Sequence, residues 1–177
     1  MLFRSLEYGC GVGRLVVNLP STIQKVNCVD FSAAHLHETG ENVKRRRLSG
    51  ERYSFYEIAS FHGLYDLPCG QDIIHSFIVL QHNTPPVIEK TIRILLGLLS
   101  PGGIAILHLP IAKARYEFNV DEYLSDENCG RSMEMHILPR ANLYRLAEGC
   151  GCQIVYSFCE GGCGVDIYSE IVVFQRL

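Results

Sequence analysis

Glu7-Tyr8-Gly9-Cys10-Gly11-Val12-Gly13 sets three alternating glycines behind an acidic residue, close to the start of a 177-residue chain. Glycine belongs where a turn needs positive φ, or where no Cβ can stand between the backbone and a ligand. Alternating glycines between a strand and a helix describe a nucleotide-like ligand lying on bare peptide groups at a helix N-terminus. Spacing narrows the choice of ligand. The dinucleotide fingerprint G-x-G-x-x-G needs a third glycine, but that position is Arg14 counted from Gly9 and Val16 counted from Gly11. A phosphate loop would close with Gly-Lys-Ser/Thr, which does not follow here.

The elements that must position this loop are readable on either side of it. Leu2–Leu6 is a short, mostly apolar strand, and Arg14–Leu19 is expected to open a helix. Lys25–Asp30 is a second strand, ending in a carboxylate 17 residues after Gly13. That offset is close to the roughly 20 residues at which α/β nucleotide sites place a ribose-binding acid. A carboxylate can accept from both ribose hydroxyls at once. Asp30 also stands where it could cap a helix starting near Ser32. Tyr53–Ile58 is expected as the third strand. The near-continuous apolar run in Gln71–His82 suits a parallel strand buried on both faces. Pro85 and Pro86 fit the first turn of a helix carrying Ile88, Ile92, Leu95, Leu96 and Leu99. Ser100-Pro101-Gly102-Gly103 then turns the chain into a strand at Ile104–Leu107, and Cys152–Phe158 with Tyr168–Phe174 reads as a closing hairpin.

Together these motifs resemble the class I S-adenosylmethionine-dependent methyltransferases. E-x-G-C-G-x-G is similar to their first motif, Asp72–His82 to their fourth strand, and Leu99–Gly103 to their L-x-P-G-G turn. The resemblance implies a single Rossmann-like, doubly wound α/β domain over residues 1–177. Its sheet would be mostly parallel, with seven strands in the order 3-2-1-4-5-7-6, the last antiparallel, and helices on both faces. It implies S-adenosyl-L-methionine as cofactor and S-adenosyl-L-homocysteine as product. Gly9, Cys10, Gly11 and Gly13 would cradle the cofactor, Glu7 would hold its amino group, and Asp30 and Phe31 would meet the adenosine. Ser76 closes the set at the end of the fourth strand. Adenine would be met by Ala59 and Ser60, or by Glu57 in another register. His82 is the candidate base, because strand C-terminal ends face the site in such sheets, although a structural hydrogen bond or helix-start contact before Pro85-Pro86 is the favoured reading of it; His75 and His108 read as structural or pocket wall.

Residues 111–138 form a long connection for an α/β domain. With Tyr116, Phe118, Tyr123, Met133 and Met135 they read as a mobile, acceptor-side lid. Asn83-Thr84-Pro85-Pro86 is followed by Val87, so it lacks the aromatic of the N-P-P-Y motif of amino-methyltransferases. Lys44–Arg47 reads as a solvated helix end and the formal net charge is −3, which makes nucleic acid an unlikely partner and a small molecule the expected acceptor. Cys150, Cys152, Cys159 and Cys163 lack the usual C-x2-C zinc spacing, so no metal is expected. With no signal or membrane-spanning pattern, the chain reads as cytoplasmic. Relatives carry helices before the first strand, and this chain starts almost on it; an uncovered apolar face then favours a homodimer. The rival reading is a noncatalytic S-adenosylmethionine-binding or partner subunit.

Overall fold

The computed structural model describes residues 3–130, 133–160 and 166–177. Seven strands form one sheet: β1 (Phe3–Tyr8), β2 (Ile23–Asp30), β3 (Tyr53–Glu57), β4 (Gln71–Ser76), β5 (Leu99–Lys113), β6 (Cys152–Glu160) and β7 (Ile167–Arg176). Their spatial order is β3-β2-β1-β4-β5-β7-β6, as expected. β1 pairs in parallel with β2 and β4, while β7 runs antiparallel between β5 and β6. The parallel strands therefore deliver their C-terminal ends to one edge of the sheet.

Four α-helices accompany the sheet: α1 (Ala33–Arg45), α2 (Pro85–Gly97), α3 (Val120–Ser125) and α4 (Arg140–Gly149). Ser32 caps α1 by accepting from His35 N, and Pro85 opens α2 at the turn where a missing N–H costs nothing. The core has two parts. The larger joins Leu6, Ile74, Leu107 and Phe174 of the sheet to Ile88, Ile92, Leu95 and Leu96 of α2 and Leu143 and Leu146 of α4. The smaller packs Val16, Val26 and Cys28 against Leu36 and Val43 of α1.

Two expectations change. The stretch Arg14–Leu19 makes only a 3-10 turn at Val16–Asn18, with Leu19 already extended (φ −65°, ψ 140°). Pro20 accounts for this, since it disfavours helical backbone in the residue before it and supplies no N–H of its own. The glycine loop therefore has no α-helix behind it, and the ligand loses the helix-dipole contribution. At the other end, Ser100–Gly103 does not separate helix from strand: it lies inside β5 as a bulge. The partner of Gln71 is Leu99 and the partner of Ile73 is Ile104, so residues 100–103 loop out of register. Gly102 has φ +78°, and a Cβ on Gly103 would stand 2.8 Å from Gln71 O and 2.9 Å from Ser100 O, which explains both glycines.

Phe174 is fully buried in β7 and belongs to the larger core. Phe174→Ala should cost about 3–5 kcal/mol in urea unfolding; a loss below 1 kcal/mol would show that β7 is not part of one cooperative core.

Candidate cofactor and acceptor site

The loop after β1 is built by main-chain bonds to β2. Gly9 N and Cys10 N both donate to Val29 O, at 2.8 and 3.0 Å. Gly9, Gly11 and Gly13 all take positive φ, at 74°, 53° and 80°. Their side-chain space differs. A Cβ on Gly9 would strike Val79 at 2.3 Å and one on Gly13 would strike Thr39 at 2.6 Å, so these two glycines allow close packing. A Cβ on Gly11 would meet nothing within 4 Å. Gly11 alone presents bare backbone to open space. Cys10 is buried behind the loop and its thiol sits 3.7 Å from Gly11 O.

Glu7 lies at the end of β1 with only 4% of its surface exposed, and its Oε2 has no hydrogen-bond partner. Its nearest basic neighbour is His75 Nδ1 at 4.0 Å. His75 is itself held neutral, since burial pulls its pKa down to about 4, and its Nε2 is 3.1 Å from Ser5 Oγ. Loss of water therefore dominates Glu7 and pushes its pKa up to about 8; the Val16 N–H opposes the shift and the Asp30 charge adds to it. A buried acid with one oxygen left without a partner fits a cationic group such as an amino-acid ammonium.

Asp30 ends β2, and its carboxylate takes three donors. Oδ2 accepts from Gly11 N at 2.8 Å; Oδ1 accepts from Ser32 N at 2.9 Å and lies 3.3 Å from His35 Nδ1. Asp30 thus organises the entry to α1, the second of its two readings, and it also ties down the cradle. About four lone-pair directions are available on a carboxylate, which leaves room for a ribose hydroxyl. Phe31 follows, half exposed, with its ring edge-on to Tyr8 at 6.0 Å. Ala59 and Ser60 are exposed just past β3, where Ile58 N donates to Asp30 O. Glu57 lies within β3, directly beside Asp30. The ends of β1, β2 and β3 thus bring Glu7, the glycines, Asp30, Phe31, Ala59 and Ser60 to one edge. Ser76 differs: its side chain is fully buried and donates to Tyr8 O at 2.8 Å, so its hydroxyl joins β1 to β4 and is not free for a ligand.

The chain beyond β4 is strained. Ile78 has φ +60°, which a β-branched residue adopts only at a cost of about 1–3 kcal/mol. Its neighbour Val79 fills the space left by Gly9. A 3-10 turn at Leu80–His82 follows. His82 Nδ1 lies 2.9 Å from Glu134 O. A carbonyl only accepts, so Nδ1 carries a proton, and in the neutral ring the lone pair is then on Nε2. His108 lies inside β5, buried, with Nε2 3.3 Å from Glu160, as a structural histidine would be.

The described part of residues 111–138 carries regular structure. It contains the end of β5, the helix α3 and a polar cluster absent from the sequence reading. Glu134 and His136 join Tyr116 and Tyr123 there, while Phe118 packs edge-on to His136 at 5.5 Å. The alternation Met133-Glu134-Met135-His136 within an aromatic-rich segment is the pattern that points to them. Met133 is 83% exposed and takes no part in the cluster. Among the described residues no group of His, Cys, Asp or Glu is arranged to hold a metal ion, and Cys163 lies outside them.

A glycine cradle, a strand-end acid on β2 and a seven-stranded sheet with an antiparallel β7 define a class I S-adenosylmethionine-dependent methyltransferase. The chain belongs to the methyltransferase domain family, whose profile matches residues 6–103. It is 34% identical over 113 residues to the human tRNA N(3)-cytidine methyltransferase METTL2B, a match covering 59% of this chain and 29% of that protein. The chain thus spans less than a third of that relative. Among solved structures it is similar to magnesium protoporphyrin IX methyltransferase from Synechocystis PCC 6803 with bound S-adenosylhomocysteine, at TM-score 0.73 and 18% identity, covering 99% of this chain and 75% of that one. It is also similar to an S-adenosylmethionine-dependent methyltransferase from Clostridium acetobutylicum, at TM-score 0.71 and 12% identity, covering 99% and 85% of the two chains. At these identities the structural likeness speaks for the fold.

The raised pKa of Glu7 has a definite sign. Between about 4.5 and 8 the folded chain holds a proton that the unfolded chain has released, so this group lowers stability as pH rises. Glu7→Gln should leave stability near pH 4.5 almost unchanged and raise it at pH 9, by an amount on the order of 2–4 kcal/mol. Parallel pH profiles of thermal or urea unfolding measure this; identical slopes for the two proteins would mean that Glu7 titrates normally.

Proposed function

We propose that the chain moves the methyl group of S-adenosylmethionine to a small-molecule acceptor by in-line displacement. The observation that carries this reading is the buried Glu7 carboxyl, whose Oε2 has no hydrogen-bond partner, beside a glycine loop whose central residue faces open space. When bound, the cofactor supplies a methyl group already activated on a sulfonium centre, which departs from a neutral thioether. What remains for the chain is orientation and exclusion of water, and orientation alone is worth about 7–11 kcal/mol. Glu7 holds the ammonium and Gly9–Gly13 the methionine portion. Asp30 takes the ribose, while Phe31, Ala59 and Ser60 line the adenine. His82, with its Nε2 lone pair preserved, takes the proton from a hydroxyl or protonated amine acceptor.

A small acceptor is supported by what lies over the strand ends. Residues 134 and 136 are hydrogen-bonded onto the turn after β4, His136 N donating to Gln81 O at 2.8 Å and Glu134 O accepting from His82 Nδ1 at 2.9 Å. The basic run is largely committed elsewhere: Lys44 pairs with Glu41 and Arg45 with Glu38, while Arg46 donates to Asn18. The seven described cysteines are all free, which suits a reducing compartment, and we place the protein in the cytoplasm on that basis.

S-adenosylhomocysteine should bind the parent chain in calorimetry. Asp30→Ala should weaken that binding by roughly 1.5–3 kcal/mol, because charged hydrogen bonds to the ligand and to the cradle are lost together. A methyl-acceptor screen with labelled cofactor should then find a small-molecule substrate. Label appearing only in tRNA would overturn the acceptor class, and product binding without transfer to anything would favour a noncatalytic cofactor-binding subunit.

The sheet also presents an apolar edge. Val155, Tyr156 and Phe158 on β6, with Tyr168 on β7, are exposed, and β6 is the terminal strand. A second copy of the chain covers this edge in the homodimer we propose. Light scattering at micromolar concentration should give twice the chain mass, 2 × 19.9 kDa; a monomer would contradict it.

A further inference from the structure

The turn after β4 and the segment after β5 meet at two adjacent points that run in opposite directions. His136 N donates to Gln81 O, and His82 Nδ1 donates to Glu134 O. The pairing amounts to a short bridge between residues 81–82 and 134–136, made on one side by a side chain. The residues that make it are themselves fixed. Both Glu134 oxygens are occupied: Oε1 accepts from Gly130 N at 2.8 Å, and Oε2 accepts from Tyr123 OH and from His136 Nε2, each at 2.8 Å. Because the carboxylate accepts, the His136 ring proton is on Nε2, and its Nδ1 is free to accept from Tyr116 OH at 2.9 Å. His136 is therefore held at its main-chain N–H and at both ring nitrogens.

We propose that Glu134 and His136 are positioning residues for methyl transfer: together they latch residues 114–130 and 133–136 over the acceptor side and fix the tautomer of His82 that, in the neutral ring, leaves the lone pair on Nε2. The assignment of a chemical purpose to that lone pair rests on the methyltransferase reading above; the latch contacts do not. Their logic is that of a base oriented by a neighbouring group, with the orienting carbonyl itself locked in place by the side chain of the same residue. Glu134 is the hub because its carbonyl serves His82 while its carboxylate serves α3 through Tyr123, the following turn through Gly130, and His136.

The electrostatics are consistent with a latch that stays closed at neutral pH. The groups facing Glu134 are His136, Tyr123 and the Gly130 amide, and those facing His136 are Glu134, Tyr116 and the rings of Tyr123 and Phe118, with His82 on the main-chain side. The His136 hydrogen bond, then those from Gly130 and Tyr123, hold the Glu134 carboxyl below its ordinary range. A depressed carboxylate pKa contributes its stabilisation above the unfolded value and loses it as pH falls through the folded one. The share of the latch that rests on the Glu134 carboxylate is therefore lost on acidification.

The test uses the full chain with S-adenosylhomocysteine as probe and compares the parent with Glu134→Ala and Tyr123→Phe. The second variant deletes one hydroxyl on the exposed side and spares the fold. Nitrogen-15 spectra of His82 should show a single Nδ1–H tautomer in the parent and a mixture in Glu134→Ala. Amide exchange at Gly130 and His136 should accelerate at least tenfold in Glu134→Ala and severalfold in Tyr123→Phe, with S-adenosylhomocysteine affinity changed less than threefold. An unchanged His82 tautomer together with unchanged exchange in both variants overturns the proposal. These two readouts decide the latch whether or not the parent binds S-adenosylhomocysteine, so failure of the cofactor reading is seen separately in the binding measurement.

Discussion

A carboxyl group removed from water with one oxygen left without a partner is the constraint around which this molecule is organised. Glu7 sits in β1, between β2 and β4, where the sheet is covered on both faces. Burying it uncompensated is costly, and the cost appears as a proton retained to about pH 8. No core needs an acid at that place. An arriving cation repays the desolvation, which is why a stability defect at Glu7 reads as a binding determinant.

The rest of the fold serves that position. Parallel pairing with β2 and β4 puts the end of β1 beside those of its neighbours, and the bonds from Gly9 and Cys10 to Val29 turn the chain over Glu7. Val79 can pack against Gly9 only because no Cβ is present, so the glycine loop and the strained turn at Ile78 are one packed unit. The same turn carries His82, whose ring reaches the segment after β5. The glycine loop after β1 and the segment after β5 thus contact a single stretch of chain, residues 76–82.

Much of this was legible in the sequence because it rests on local rules. The apolar run of β4, the prolines opening α2, the terminal hairpin and Asp30 at the end of β2 all follow from periodicity, turn chemistry and short spacings. Legibility failed where a choice depended on partners distant in the chain. Arg14–Leu19 has a helical pattern, but Pro20 limits it to one turn. The glycines at 102 and 103 signalled a turn, whereas their reason is a bulge against Gln71. Ser76 stood at the right strand end, yet its hydroxyl is consumed by Tyr8. Glu134 and His136 stand out locally only as an alternation with two methionines, and their role comes from Gln81 and His82, more than 50 residues away.

The central claim is that Glu7 waits, protonated, for a cationic ligand. Calorimetric titration of S-adenosylhomocysteine at pH 7, in two buffers of very different ionisation enthalpy, counts the protons exchanged on binding. The account predicts release of close to one proton by the parent chain and none by Glu7→Gln, because the ammonium stabilises the ionised carboxylate that burial had suppressed. Binding by the parent without proton release, or with the same release in Glu7→Gln, would contradict it.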